Sequence, residues 1–119
     1  MSQVRVIGKL LGANFNTTTD QAIPLGYGHA AVTDIVVTNT STSLTLAAGG
    51  FYTGAGKTGT IIVAAAQLYS FLTAAGLALK ATIAAPVRVI TGQIFLSLTT
   101  AQGGAATADV YVVGLELDQ

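Results

Sequence analysis

Along most of this chain, apolar and polar side chains alternate with a period of two, and the C-terminal part shows this most clearly. In residues 93–99, Ile94, Leu96 and Leu98 fall on one face of an extended segment, and residues 109–117 alternate in the same way. Successive side chains of a strand point to opposite faces, so the pattern is typical of strands with one buried face. The two segments are predicted to form a hairpin whose loop, at residues 101–106, is longer than a tight turn.

The same alternation recurs through the rest of the 119 residues. About eight or nine short strands, separated by Gly-, Asn- and Thr-rich turns, follow one another at the spacing of sandwiches and barrels. The fold class is therefore predicted to be all-β: a single β-sandwich domain of jelly-roll type spanning residues 1–119. Besides the hairpin, the main strands are predicted at residues 4–11, 22–25, 31–38, 60–63, 77–83 and 87–90.

One segment departs from this period. Residues 64–75 are rich in helix formers, and Leu68, Phe71, Leu72 and Ala75 recur at helical spacing. Gly76 follows and suits a helix C-terminal cap. A short helix is therefore predicted near residues 65–75.

Charge is scarce: five basic and five acidic residues make 8% of the chain and sum to zero, against about 25% in a typical domain. A chain of 12.0 kDa exposes roughly 6,000 Å² when folded. A surface with so few charges and no net charge favours association. The chain is predicted to be a homo-oligomer, with a trimer favoured. The expected interface comprises Tyr52, Tyr69, Phe71 and Ala/Thr-rich strand faces.

Composition also weighs against several other partners and sites. Five scattered basic residues form no patch for nucleic acid. The weakly polar stretch at residues 61–79 is rich in alanine and interrupted by polar residues, so no transmembrane helix is expected. The absence of cysteine excludes disulfides and thiolate metal sites. The N-terminal residues lack the pattern of a signal peptide, so synthesis in a cytoplasm is expected.

The sequence Gly-Ala-Gly-Lys-Thr at residues 54–58 resembles the end of a phosphate-binding P-loop. That loop requires its first glycine five residues before the second, where this chain has Phe51. The spacing matters because the loop curls its N–H groups around phosphate oxygens. No βαβ alternation surrounds it either, so a flexible glycine loop is predicted, with no nucleotide binding at Lys57.

The remaining polar residues do not form a recognisable catalytic, cofactor or metal site. His29 is the single histidine, too little for a triad or a metal set. A carboxylate pair at Glu116 and Asp118 is expected to be a solvated strand end. The tyrosines are more typical of core or interface than of a sugar platform. No catalytic residue, cofactor or metal is therefore predicted.

Two stretches carry a resemblance to a known class of protein. One is Gly-Thr-Ile-Ile-Val-Ala-Ala-Ala-Gln-Leu-Tyr at residues 59–69, and the other is the C-terminal hairpin, from residues 94–98 through Gly103-Gly104 to residues 109–113. They resemble small structural proteins of tailed bacteriophages, and the cysteine-free, Ala/Gly/Thr-rich character is similar to capsid decoration (cement) proteins. The resemblance covers the C-terminal half and transfers no functional residue. It implies a virion protein on the capsid surface, bound between major capsid subunits, often as a trimer.

The sequence therefore predicts a structural protein and not an enzyme. The expected function is decoration: binding the major capsid protein and stabilising an icosahedral phage head, with neither nucleic acid nor membrane as partner. The alternative is a carbohydrate- or surface-binding β-module of a phage fibre, spike or neck, which a glycan array would distinguish. A small enzyme is a third class, which the motifs disfavour.

Overall fold

The computed structural model describes residues 4–83 and 85–117, which form two antiparallel sheets and contain no helix. The all-β prediction is thus confirmed. The nine strands of the described residues are β1 (Arg5–Asn14), β2 (Gln21–Pro24), β3 (Ala30–Thr38), β4 (Ala48–Gly54), β5 (Thr58–Val63), β6 (Ala78–Ala81), β7 (Val87–Val89), β8 (Gln93–Thr100) and β9 (Thr107–Glu116).

The two sheets lie in a sandwich-like arrangement around one core. The first sheet, sheet A, has the order β1-β9-β3-β6, with β7 also paired to β3; sheet B has the order β2-β8-β4-β5. Alternate residues face inward, as the period of two predicts. In β3 the alternation breaks at Thr33 and Asp34, where a bulge opposite β9 shifts the register. Fully buried side chains come from both sheets, including Val32, Ile35, Val37, Phe51, Ile94, Leu96, Val110 and Val112.

The short helix predicted near residues 65–75 is absent, and that prediction is wrong. Leu68 and Phe71 are exposed, whereas Tyr69 and Leu72 are buried. The segment consists of turns at residues 65–66 and 70–71 on either side of a short stretch that lies beside residues 44–49, and several of its N–H and C=O groups bond to that neighbour. Helix propensity is a weak preference that such tertiary pairing overrides. The N–H to C=O bonds are Gly49 to Gln67 (3.0 Å), Tyr69 to Ala47 (3.2 Å) and Leu44 to Leu72 (3.0 Å).

One long side of the molecule, formed by the edge strands β1 and β2, is joined across the two sheets. We call it the closed side. Gly8 and Leu25 form an isolated antiparallel bridge between the strands, and a side chain at Gly8 would collide with the Pro24 carbonyl. Gln21 adds two bonds to the backbone of Asn14, accepting from its N–H (2.8 Å) and donating to its C=O (2.7 Å).

The opposite long side consists of two edges that are each broken by a loop, and we call it the interrupted side. In sheet A, β6 and β7 pair with successive parts of β3, separated by residues 82–86. Pro86 lies in that gap and cannot donate a ladder bond. In sheet B, β5 ends at Val63, and residues 67–72 resume the pairing beside residues 44–49 after residues 64–66. The two loops meet where the Thr82 N–H donates to Gln67 Oε1 (2.9 Å).

Candidate functional site

A polar cluster covers the outer face of sheet B and contains the lysine of the P-loop-like sequence. Lys57 lies in the β4–β5 loop with a left-handed φ of 60°. Its Nζ donates to Ser97 Oγ (2.8 Å) and to the Leu98 carbonyl (3.4 Å). The N–H of Gly56 donates to Asp20 Oδ2. This loop is therefore bound to its own chain through both its lysine and one of its N–H groups.

Asp20 is held as a carboxylate by this cluster. The Ser97 hydroxyl, then the Gly56 N–H and the Lys57 charge lower its pKa, and these outweigh the opposing effect of burial. Hydrogen bonds to the charged form of a carboxyl group favour that form. No sequence pattern indicated this contact, because Asp20 and Ser97 become neighbours only through the register of β2 on β8.

A serine hydroxyl beside a lysine amine is a possible nucleophile and base pair. Here, however, Ser97 is 0% exposed. Its oxygen is enclosed by Lys57 and Asp20 and offers no room for a substrate carbonyl within bonding distance. The arrangement instead ties the turn before β2 to the β4–β5 loop.

The other polar candidates lie apart from this cluster. Glu116 forms an ion pair with Arg5 (3.2 Å), while Asp118 lies outside the described residues. Asp109 accepts bonds from the Gly12 N–H (2.8 Å) and from Asn39 (3.0 Å), and so joins β9 to β1 and to the turn after β3. His29 is exposed, and its carbonyl accepts from the Leu117 N–H. Within the described residues, no group of three or more His, Asp or Glu side chains could hold a metal ion.

The three residues predicted as an interface lie in different environments. Tyr69 is fully buried, its hydroxyl donates to the Gly49 carbonyl (2.9 Å), and burial followed by the charge of Tyr52 raises its pKa. Tyr52 is 3% exposed and lies in register between Phe95 and Ile61. Phe71 is 58% exposed. Of the three, only Phe71 therefore offers a substantial surface to a partner.

Phe71 is one of four large apolar side chains that are exposed along the interrupted side, which together we call the apolar patch. They are Leu46, Ile61, Leu68 and Phe71, and they are 58–62% exposed. Leu68 pairs with Ala48, two residues from Leu46. Three of the four residues lie in an uncharged run of 22 residues from Thr58 to Leu79. The sequence-based prediction named Phe71 from this run but not Ile61 or Leu68.

A groove adjoins the patch at the meeting point of the two broken edges. It has a volume of about 300 Å³. Ile61 belongs to both features, and Gln67 connects the groove to Leu68 along the chain. The groove lining is apolar except for two uncharged polar side chains. The lining residues are Ile61, Ile62, Ala64, Gln67 and Thr82.

In the part of the chain that the structure describes, no helix is long and apolar enough to cross a membrane. Searches against protein-family models, curated proteins and solved structures found no match for this chain.

Proposed function

We propose that this protein is a structural component of a virion that decorates an icosahedral phage head. In this role it binds the outer surface of the major capsid protein and strengthens the shell. The observation that carries the proposal is the apolar patch and its groove, on a side whose residues 58–79 contain no charge. Uncharged, clustered apolar surface marks a contact with another macromolecule more often than a solvated surface does.

The jelly-roll form of the fold is part of the proposal, and the strand pairing supports it. If β6 and β7 are taken as one interrupted strand, the chain pairs as β1 with β9, β2 with β8, β3 with β6–β7 and β4 with β5. This is the order of one long hairpin rolled into two four-stranded sheets. Jelly rolls of this kind occur in capsid and lectin domains.

Decoration requires shape and many weak contacts, and needs no chemistry. A modest contact becomes strong when each assembly engages several sites of a symmetric shell at once. A protein that binds only the assembled shell also stabilises it by mass action.

The alternative, a sugar-binding module of a fibre, spike or neck, has less support from the tyrosines. Tyr52 and Tyr69 are buried. Tyr27 is partly exposed, but the Arg5 guanidinium lies over its ring at 5.4 Å from the centroid and also donates to its hydroxyl (2.6 Å). The ring face that a sugar would stack on is therefore covered on one side.

The test compares particles made with and without this chain. We expect decorated particles to withstand higher temperature and stronger chelator treatment, with density for this protein spread over the shell at hundreds of copies. Equal resistance of the two particles, or density at the tail or neck alone, would refute the proposal. Binding on a glycan array would instead support the alternative.

A further inference from the structure

The carboxylate of Asp20 lies where donors from two other parts of the chain meet. The Gly56 N–H donates to Asp20 Oδ2. The Ser97 hydroxyl donates to the same carboxylate and accepts from Lys57 Nζ at 2.8 Å, which brings a positive charge close to it. A backbone N–H, a hydroxyl and an ammonium group are donors with which proteins bind anions. The arrangement therefore has the chemistry of an anion site, and Asp20 occupies it.

The β4–β5 turn that supplies two of these donors is held by hydrogen bonds that do not involve Asp20. Thr58 Oγ1 donates to the Ala55 carbonyl (2.6 Å), which closes the turn on itself. The Thr60 N–H donates to Thr53 Oγ1 (2.8 Å) and joins the two strands beside the turn. The turn is therefore expected to keep its shape when the Asp20 side chain is removed.

The lysine and the turn backbone are fixed independently in the same way. Gly56 and Lys57 have left-handed φ angles of 72° and 60°, a combination typical of tight hairpin turns. Lys57 Nζ donates to Ser97 Oγ (2.8 Å) and to the Leu98 carbonyl (3.4 Å). Because both acceptors belong to β8, the ammonium group is held near the carboxylate position without the help of Asp20.

We propose that the β4–β5 turn, together with Ser97, is a carboxylate-binding site whose resident ligand is Asp20, and that a carboxylate from solution binds there when the Asp20 side chain is absent. In the intact chain, Asp20 keeps the site closed to other anions, because a tethered ligand is present at a high effective concentration. The ligand class is a single carboxylate group. This inference goes beyond the proposed function and does not depend on capsid binding.

The test replaces the missing carboxylate by a small one from solution. Asp20→Ala removes a carboxylate group, and formate supplies one of the same size. Formate at about ten times its dissociation constant should lower the unfolding equilibrium constant of Asp20→Ala about tenfold, and the effect should saturate. A ligand this small is expected to bind with a dissociation constant of about 1 mM or weaker. Urea denaturation at constant ionic strength, with chloride replacing formate, measures the effect.

Two chains should not respond to formate in this way. In the wild type, the Asp20 carboxylate fills the site, and in Asp20→Asn a neutral side chain of the same shape fills it. A saturable response of either chain as large as that of Asp20→Ala would show that formate acts elsewhere, and would overturn the proposal. The absence of a response in Asp20→Ala would do the same.

Asp109 provides a matched control, because its carboxylate also accepts a backbone N–H, that of Gly12 (2.8 Å), and a side-chain bond from Asn39 (3.0 Å). Neither of these donors is a cation. Asp109→Ala should therefore respond to formate at least about tenfold more weakly than Asp20→Ala. Adding Lys57→Met to Asp20→Ala should weaken the response by a similar factor. Equal responses of the two alanine variants, or a response that survives loss of the lysine, would contradict the proposed site.

Amide NMR shows where the ligand binds. In Asp20→Ala, the Gly56 amide resonance should move as formate is added, with the same dissociation constant as the stability measurement. A Gly56 resonance that stays in place, or shifts spread evenly over the surface, would refute binding at the turn. Asp20→Gly with acetate is a second pair, in which the ligand also replaces the Cβ; it should give the same result and decides the question if Asp20→Ala does not fold.

Discussion

The closed and interrupted sides of the molecule both end in edge strands, and they protect those edges differently. On the closed side, β1 carries Arg5 and Lys9, β2 carries Pro24, and backbone and glutamine bonds join the two sheets. On the interrupted side, both edges are broken, after β5 at residues 64–66 and between β6 and β7. The Thr82 N–H donates to Gln67 Oε1 and links the two breaks.

The difference shows that an edge can be protected from strand addition and still leave apolar side chains accessible to another protein. Charges and proline on an edge discourage any approach by another chain. A loop that interrupts an edge prevents continuous strand addition but leaves apolar side chains accessible. Val6 and Leu11 on β1 are exposed near Arg5 and Lys9, and on the interrupted side the sheet A edge likewise carries the exposed Lys80 and Arg88. Residues 58–77, along the sheet B edge of the interrupted side, contain no charge. That edge is thus the surface best suited to contact a partner.

The largest expected effect on the free energy of unfolding separates a buried residue of the interrupted side, Tyr69, from an exposed one, Phe71. Tyr69→Ala should lower the free energy of unfolding by about 3–5 kcal/mol, because a buried ring is lost together with its bond to the Gly49 carbonyl. Phe71→Ala, two residues on, should change it by less than about 0.5 kcal/mol because the ring is exposed. Urea denaturation of the monomeric chain measures both, and similar values would show that the segment is not divided in this way.

A pair of glycine substitutions compares the tightness of the two sides. Gly8→Ala should cost about 1–3 kcal/mol, as overpacking does, because its Cβ would lie 2.6 Å from the Pro24 carbonyl oxygen. Gly76→Ala should be neutral or stabilise by up to about 1 kcal/mol, since nothing lies within 4 Å of the added Cβ. Thermal denaturation of the two variants reports the difference, and a harmless Gly8→Ala would mean that the closed side is not tightly joined.

Smaller effects on stability are expected from removing either of the two glutamine side chains that connect the sheets, Gln21 and Gln67. Gln21→Ala removes two bonds between the sheets, both to Asn14, and should cost about 1 kcal/mol. Gln67→Ala removes one bond between the sheets, from the Thr82 N–H, and a local bond to the Leu68 carbonyl, and should cost no more than about 1 kcal/mol. Amide hydrogen exchange sharpens the comparison. Exchange at Thr82 should accelerate in Gln67→Ala and stay unchanged in Gln21→Ala; the reverse pattern would contradict the assignment of the two sides.

The smallest expected effect concerns Asp20, which joins a turn next to the closed side to the β4–β5 loop. Its pKa is lowered from the ordinary value of 3.8 in the folded chain, so its contribution is fully present above that value. The contribution is lost as pH falls through the lower folded pKa. Asp20→Asn should therefore be less stable than wild type at neutral pH, by under about 1 kcal/mol because the carboxylate is partly exposed and solvent screens its interactions.

Denaturation at a series of pH values checks this prediction. The stability difference between wild type and Asp20→Asn should shrink as pH falls below 3.8. A gap that is constant across this range would show that the carboxylate charge does not stabilise the fold.

Period-two alternation predicted the β-class and much of the core, because a buried face selects apolar residues directly. Ile94, Leu96 and Leu98 are buried as expected. Helical spacing failed at residues 65–75, since spacing alone cannot reveal that residues 44–49 lie alongside. The contact of Asp20 with Ser97 depends on strand register, which no local pattern encodes. Scarcity of charge predicted association with other chains, and the fold was needed to show where exposed apolar side chains lie.

The position of β9 has a consequence for how the chain reaches its native state. This strand lies between β1 and β3, pairing Arg5 with Gly114 and Ala30 with Glu116. During synthesis, β1 and β3 leave the ribosome long before the strand that separates them exists. Sheet A therefore cannot close until residues 107–116 have been synthesised. Topologies dominated by distant pairings fold slowly, so the newly made chain passes through an interval in which its apolar strands depend on chaperones or dilution to remain apart.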